Sequence, residues 1–295
     1  MTDKTKNIFD EIHRQQLQVA SQYERTKTLS TAEYLGVDHN FFKGKTCLDA
    51  GCGVLLPATI NMLEAGADMV FALDLDISSN EVSLRFLEQW QGKYELNNGS
   101  VLSLPYQDGF FDFVLSDGVL HHTGNIARGL IELCRVVKKG GALYVSIMGE
   151  GGIMKEFQSI LRKRYRTDPW FQQLIGNLDP KTIMKILVQA GENGSKEEID
   201  GDYSSREAMF EELFDDDLCL TIKDRIQAPT YETIAEKDVL QIFENQGISQ
   251  VRRICRPISI GNIRRYLTPY YHNYKHPVAE FLYGDGYLQY FGVKS

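Results

Sequence analysis

The chain predicts a doubly wound α/β fold built on a parallel sheet. Short apolar runs at Thr46-Cys47-Leu48, Met69 to Leu73, Phe111 to Leu115 and Ala142 to Ile147 recur through the first half. Segments of helical period lie between them: Val82, Phe86 and Trp90 form one stripe, and Ile126, Leu130, Leu133, Cys134 and Val137 form another, stopped by Gly140-Gly141. The connections are short. Strands that alternate with helices over short connections pair in parallel, with helices covering both faces.

Taken in order, residues 1–43 are polar, with Ile8, Ile12 and Val19 at near-helical spacing, and predict one or two helices lying over the core as a lid. Residues 44–150 carry the strand–helix alternation. In its first unit Pro57 falls in the first helical turn, where a missing N–H costs little; in its second, Asp76 caps the helix containing Val82. Arg135 and Lys138 are expected at a helix C-terminus, where cations suit the dipole. Residues 151–220 break the rhythm. They open basic (Arg162, Lys163, Arg164, Arg166), turn acidic from Glu192 to Asp217, and keep helical spacing at Ile183, Ile186 and Leu187 and at Met209, Leu213 and Phe214. This is a helical insertion after a sheet strand, a common place for a lid over a substrate. Residues 221–295 hold a short helix after Asp238, a strand from Ile248 to Ile254 and a last strand from Tyr287 to Val293, completing the sheet.

The 295 residues suffice for one large α/β domain, and 43% hydrophobic with 24% charged is ordinary for a soluble protein. A net charge of -8 counts against a general binder of nucleic acid or anionic membrane, although a local basic patch would override it. Five cysteines without a CxxC pair give neither a disulfide framework nor a zinc site; buried free thiols in a reducing compartment follow. No metal site is expected. The N-terminus lacks a signal-peptide apolar run, and no later run approaches the ~20 residues of a membrane span, so a cytoplasmic location without membrane insertion is the expectation.

Two places carry chemistry. The first apolar run ends at Asp49-Ala50-Gly51-Cys52-Gly53, where glycines let the backbone approach a ligand and adopt angles a Cβ forbids. The second run ends at Asp74, whose carboxylate is placed to accept both ribose hydroxyls of an adenosine. Leu48 to Gly53, Leu104 to Val114, Val119-Leu120-His121-His122 and Glu132 to Gly141 together resemble, in order and spacing, successive motifs of the class I S-adenosylmethionine-dependent methyltransferases. The resemblance covers roughly residues 45–148 and implies a Rossmann-like, seven-stranded, mostly parallel sheet. It implies that the Gly51-Cys52-Gly53 backbone wraps the methionine part of S-adenosylmethionine and that Asp49 orients its amino group, directly or through water. It further implies that Asp74 holds the ribose and Leu75 packs on the adenine. Ser100 and Val101 fall at the adenine edge, and the Ser116 carbonyl falls near the methionyl ammonium. Two positions depart from the family pattern: Leu55 replaces a frequent glycine, and Ser100 replaces the usual Asp.

His121 and His122 follow the fourth strand, where methyl donor and acceptor meet. A neutral imidazole there could take a proton from a hydroxyl or ammonium nucleophile, or it could pack and cap the next helix. The tail offers Arg252, Arg253, Arg256, Arg264 and Arg265 with Tyr266, Tyr270, Tyr271 and Tyr274. These suit an anionic or aromatic small-molecule acceptor and suit ion pairs with the acidic insertion equally well. The expected reaction is methyl transfer to oxygen or nitrogen of a small molecule. A protein or RNA acceptor is disfavoured because Ser116-Asp117-Gly118-Val119 stands where base and glutamine N-methylators carry Asn/Asp-Pro-Pro-Tyr. A nicotinamide oxidoreductase would want glycine at Leu56, and a non-catalytic cofactor-binding relative is the remaining reading. Nothing in the sequence specifies the oligomeric state.

Overall fold

The computed structural model describes residues 28–75, 77, 85, 87–179, 182, 214–255 and 275–295. In chain order these form α1 (Ala32–Leu35), β1 (Thr46–Ala50), α2 (Pro57–Glu64), β2 (Met69–Asp74), β3 (Tyr94–Asn98), β4 (Phe111–Asp117), α3 (Ile126–Val136), β5 (Val137–Met148), α4 (Ile153–Thr167), α5 (Pro169–Gly176), α6 (Asp216–Gln227), α7 (Glu236–Asn245), β6 (Ile248–Arg253), α8 (Pro277–Tyr283) and β7 (Tyr287–Lys294). The expected helices around Ile8, Ile12 and Val19 lie outside the described residues. So do Asp76, Val82, Phe86, the stretches holding Ile183 to Leu187 and Glu192 to Leu213, and the tail from Arg256 through Tyr274.

The seven strands form one sheet in the order β3-β2-β1-β4-β5-β7-β6. Neighbours from β3 to β5 run parallel, whereas β7 runs antiparallel to both β5 and β6. This is the doubly wound, mostly parallel sheet expected of the sequence. Strand order reverses between β1 and β4, and a crevice opens at such a reversal outside the strands' carboxyl ends. Because side chains alternate across a strand, the sheet feeds two cores. Leu48, Val114, Leu143 and Val145 pack with Leu130 and Leu133 of α3 and Val239 and Phe243 of α7. Cys47, Phe113, Leu115 and Tyr144 face the other way, toward Tyr34 and Leu35 of α1, Phe42, and Ile60, Met62 and Leu63 of α2. A smaller cluster joins Phe171 and Ile175 of α5 to Ile226 of α6. The residue-220 boundary falls inside α6.

Three local readings are corrected. Tyr94–Asn98 forms β3, which the apolar runs did not signal. It is an edge strand with one neighbour, and its side chains are only half-buried or exposed. The α3 helix ends at Val136, and Val137 already pairs with Phe111 in β5. Gly140 and Gly141 therefore do not stop a helix; they shape a bulge where pairing jumps from Val137 to Ala142. A Cβ at Gly141 would sit 2.9 Å from the Lys138 carbonyl oxygen and 3.0 Å from that of Asp112, so no other residue fits without displacement. Lys138 accordingly lies in β5, where its ammonium pairs with Asp112 at 2.9 Å.

Arg135, in the last turn of α3, does more than face a helix dipole. Its guanidinium donates to the carbonyls of Leu104 (3.0 Å) and Tyr106 (2.7 Å) and to the carboxylates of Glu132 and Asp108. Buried Glu132 also accepts the Leu104 amide at 2.9 Å, and its bonds with Arg135 hold its carboxyl below the usual range. Loop 104–108 is thereby clamped onto α3. All five cysteines are free thiols, four of them buried. No helix among the described residues is long and apolar enough to cross a membrane.

Candidate functional site

The proposed cofactor residues gather at the carboxyl ends of β1 to β4, with His121 and His122 just beyond. At the end of β1 the chain turns through Gly51 (φ 89°) and Gly53 (φ 60°) and enters α2 after Leu56, itself at φ 51°. The amides of Gly51 and Cys52 both donate to the Leu73 carbonyl, at 2.7 and 3.1 Å, pinning the turn against β2. At Gly51 a Cβ would come within 2.3 Å of Val119 Cγ2. Gly51→Ala is therefore expected to cost about 2–4 kcal/mol, from overpacking plus a left-handed alanine. Denaturant melts should show Val119→Ala recovering part of that loss; equal losses with and without Val119 would place the strain elsewhere. At Gly53, by contrast, a Cβ would meet nothing within 4 Å, so the turn presents an open face there. Leu56 tolerates its left-handed backbone because its side chain is fully buried in the core.

Asp74 closes the turn. Its Oδ2 accepts the Gly53 amide at 2.9 Å and its Oδ1 accepts the Leu75 amide at 2.7 Å. Each carboxylate oxygen has a second lone pair to offer. The Leu75 side chain is 43% exposed, unusual for leucine at a strand end. Past β3, the Ser100 hydroxyl accepts the Leu102 amide at 3.2 Å, and Val101 is buried. Ser116 donates its hydroxyl to the Ala50 carbonyl at 2.8 Å, extending the β1–β4 contact one residue past their shared register. Cys52 is buried, and desolvation raises its thiol well above the usual value.

Asp49 is fully enclosed. Its Oδ2 accepts both the amide and the hydroxyl of Thr59, at 3.0 and 2.7 Å, tying β1 to the first turns of α2. Burial pushes its carboxyl up to about 7, and the charges of Asp74 and Asp117 act in the same direction. A cation beside it would relieve that cost.

His121 and His122 lie in a short 3₁₀ turn, Leu120–His122, and both are buried. Their rings are 4.2 Å apart, and Tyr231 stands edge-on to both, at 5.2 and 5.5 Å. Tyr287 approaches His121 at 6.4 Å. The His121 Nδ1 is buried without a hydrogen-bond partner, and desolvation holds the ring well below the usual histidine pKa, hence neutral at pH 7. His122 is more tied: Nδ1 lies 3.2 Å from the Thr230 carbonyl and Nε2 3.8 Å from Asp224. Behind Tyr231, Arg162 of α4 packs on its ring at 5.2 Å and donates to the carbonyls of Arg225 and Ala228. An open cleft of about 490 Å³ lies alongside, between residues 124–127 and 231–234. No group of three or more metal-ligating side chains occurs among the described residues.

Sequence reasoning missed Tyr231, Tyr287 and Arg162 as neighbours of His121, because nothing in their local pattern connects them to it. Of the tail cations, Arg252 and Arg253 have structural partners. Arg253 pairs with Glu236 of α7 at 2.8 Å, and Arg252 donates to the Leu35 and Gly36 carbonyls and lies over Phe291. Among the described residues, the ion pair of Arg253 is with α7; the acidic stretch from Glu192 to Leu213 and Arg256, Arg264 and Arg265 lie outside the described residues.

The open face at Gly53, the carboxylate at the tip of β2 and the exposed Leu75 fit an adenosine-bearing ligand with a cationic end near Asp49. Comparison with known proteins points the same way. A family model described as a methyltransferase domain matches residues 48–145. The demethylmenaquinone methyltransferase of Bacillus velezensis is 34% identical over 170 residues, covering 52% of this chain and 72% of that protein. That of Bacillus pumilus is also 34% identical, over 105 residues that cover 35% of this chain and 44% of that protein. The chain spans less than half the length of several curated relatives it matches. Among solved structures, a chain of the complex containing the Haloferax volcanii Trm112 methyltransferase activator shares the fold. Its TM-score is 0.51 at 14% identity, and the match covers 99% of this chain and 98% of that one. The family's cofactor is S-adenosylmethionine. From the glycine turn, the strand-tip carboxylate, the strand order and these relatives together, the chain belongs to the class I S-adenosylmethionine-dependent methyltransferases.

Proposed function

We propose that the protein transfers a methyl group from S-adenosylmethionine to an oxygen or nitrogen of a small-molecule acceptor. The observation that carries this reading is a buried, neutral His121 with an unpartnered Nδ1, set just past the strand ends that hold Asp49, the glycine turn and Asp74. The relatives' named acceptor, demethylmenaquinone, is likewise a small molecule. When bound, the cofactor supplies a methyl group on a sulfonium, electrophilic enough for in-line displacement by a lone pair. The protein's share is then positioning, water exclusion and proton removal. Asp74 and the Gly53 turn hold the ribose, Leu75 covers the adenine beside Ser100 and Val101, and Asp49 with the Ser116 carbonyl takes the ammonium end. His121 accepts the acceptor's proton at Nδ1. His122, fixed by Thr230 and Asp224, sets the position of the neighbouring ring. Residues 1–43 and the helical insertion at 151–220 act as lids. Through Arg162 the insertion reaches Tyr231 and so the histidine pair.

Titration calorimetry with S-adenosylmethionine and with its demethylated product tests the cofactor half. Both are expected to bind; binding of neither would end this reading. The pH dependence is sharper. With its carboxyl raised to about 7, Asp49 is protonated in the free protein below that value, whereas a neighbouring ammonium favours the carboxylate. Binding must then expel a proton, so affinity should climb about tenfold per pH unit up to about 7 and level off above it. Asp49→Asn should flatten that slope. A slope that persists in the variant would assign the proton to another group.

A further inference from the structure

Helix α4 is amphipathic in the wrong sense for an ordinary surface helix. Its inward face is polar. Lys155 donates to the Gly149 and Tyr283 carbonyls, Gln158 to that of Arg225, and Arg162 to those of Arg225 and Ala228. These residues recur at i, i+3 and i+7, the spacing of one helical face. The apolar residues point outward: Phe157 is 55% and Ile160 63% exposed, with Ile153, Met154 and Leu161 exposed beside them. Hydrogen bonds to carbonyls therefore hold the helix in place and leave its apolar stripe exposed among the described residues.

Further exposed apolar side chains lie near both ends of the helix. At the start of α4, Gly152 presses against the backbone of Tyr283 and Gly284, which brings α8 with exposed Phe281 (64%) and Val278 next to it. Beyond its last turn stands Trp170, 62% exposed, with the Arg164 guanidinium over its ring. Lys163, Arg164 and Arg166 are exposed along this end, Arg164 in a surface pair with Asp168 at 3.0 Å and Arg166 donating to the Pro229 carbonyl at 3.3 Å; Glu156 is the single acid within the helix. Scattered exposed apolar residues need no explanation, but a contiguous patch bordered by cations does.

We propose that the outward face of α4, with Trp170 and Phe281, docks on a bilayer surface carrying anionic headgroups. Apolar side chains would enter the headgroup–acyl boundary, Trp170 would sit at its level, and Lys163, Arg164 and Arg166 would meet the phosphates. The overall charge of -8 does not oppose this, since attraction to a surface is set by the cations within a Debye length of it. A second copy is the competing occupant: antiparallel pairing across a two-fold axis would lay the two stripes together with their basic ends apart, and its signature would be a dimer in solution. The inference is independent of the methyl acceptor.

Co-sedimentation of the full chain with vesicles of phosphatidylcholine, alone or in equal mixture with phosphatidylglycerol, tests it. Binding is expected to the mixed vesicles and to weaken with salt. Phe157→Glu together with Ile160→Glu should lower partitioning at least about tenfold. Lys163→Gln with Arg166→Gln should lower it about twenty-fivefold, about fivefold per cation. All four positions are exposed, and the bond from Arg166 to the Pro229 carbonyl at 3.3 Å lies at the surface, so melting temperatures should shift little beside these losses. Three results would overturn the proposal. The first is no binding to mixed vesicles, or binding that all four substitutions leave intact. The second is a wild-type dimer that Phe157→Glu with Ile160→Glu dissolves. The third is a vesicle-free monomer in which cysteines placed by Phe157→Cys and Ile160→Cys resist a maleimide reagent, which would mean that the chain's own segments cover the stripe.

Discussion

His121→Ala is expected to lower turnover at saturating acceptor by about 10²–10⁴-fold, the range for loss of a positioned general base, with cofactor affinity unchanged. The base form is available because burial keeps the ring neutral, and its Nδ1 has no competing partner. The same burial fixes the sign of the pH profile. A ring whose pKa lies well below 6.5 stays deprotonated as pH falls from 8 to 6, so His121 should put no acid limb into the rate across that interval. An acid limb near the ordinary histidine pKa that vanishes in His122→Ala would move the base to His122. Because His121 also packs against Tyr231 and Tyr287, part of the loss in His121→Ala could come from disturbed packing. His121→Phe keeps a ring without a base, and a folded variant of each kind with equal loss assigns the effect to the proton. Full turnover in either variant would leave positioning alone to account for catalysis.

Asp74→Ala should weaken binding of both S-adenosylmethionine and its demethylated product by ~10–100-fold, since hydrogen bonds to a charged group contribute about 1.5–3 kcal/mol. The carboxylate also holds the Gly53 and Leu75 amides, so the same substitution should loosen the glycine turn and lower stability by about 1 kcal/mol. Asp74→Asn separates the two contributions. It keeps an oxygen for one amide while losing the charge, and should recover more stability than affinity. Calorimetry on the two variants beside their thermal melts reads both quantities. An unchanged dissociation constant in Asp74→Ala would place the ribose elsewhere.

Much of the fold was legible because it rests on period and order. The runs ending at Leu48, Leu73, Leu115 and Ile147 became four parallel strands, and Pro57 opens α2 as its fixed φ favours. Features that lack a period were not legible. Edge strand β3 buries little, and in Tyr94-Glu95-Leu96-Asn97-Asn98 only Tyr94 and Leu96 are apolar, too short an alternation to mark a strand. Gly140-Gly141 has the composition of a helix stop, yet the bulge it makes is needed only because β5 must return against β4. Arg135 reads as a cation on a helix end, and its clamp on loop 104–108 needs that loop to be folded alongside.

The sequence by itself determined that Asp49, Gly51, Gly53, Asp74, Ser100, Ser116 and the histidine pair share one edge of the sheet. In a parallel βα alternation every strand ends on the same side, so chain order is enough. Only the tertiary structure decided what each of these groups touches. Asp49 faces Thr59, Asp74 closes on the Gly53 amide, and His121 meets Tyr231, from the segment that follows the insertion. It also decided which way α4 turns its apolar stripe. Hydrophobic period marks a face but does not say what lies opposite. Here the carbonyls of Arg225 and Ala228 took the polar side of the helix and sent its apolar side outward.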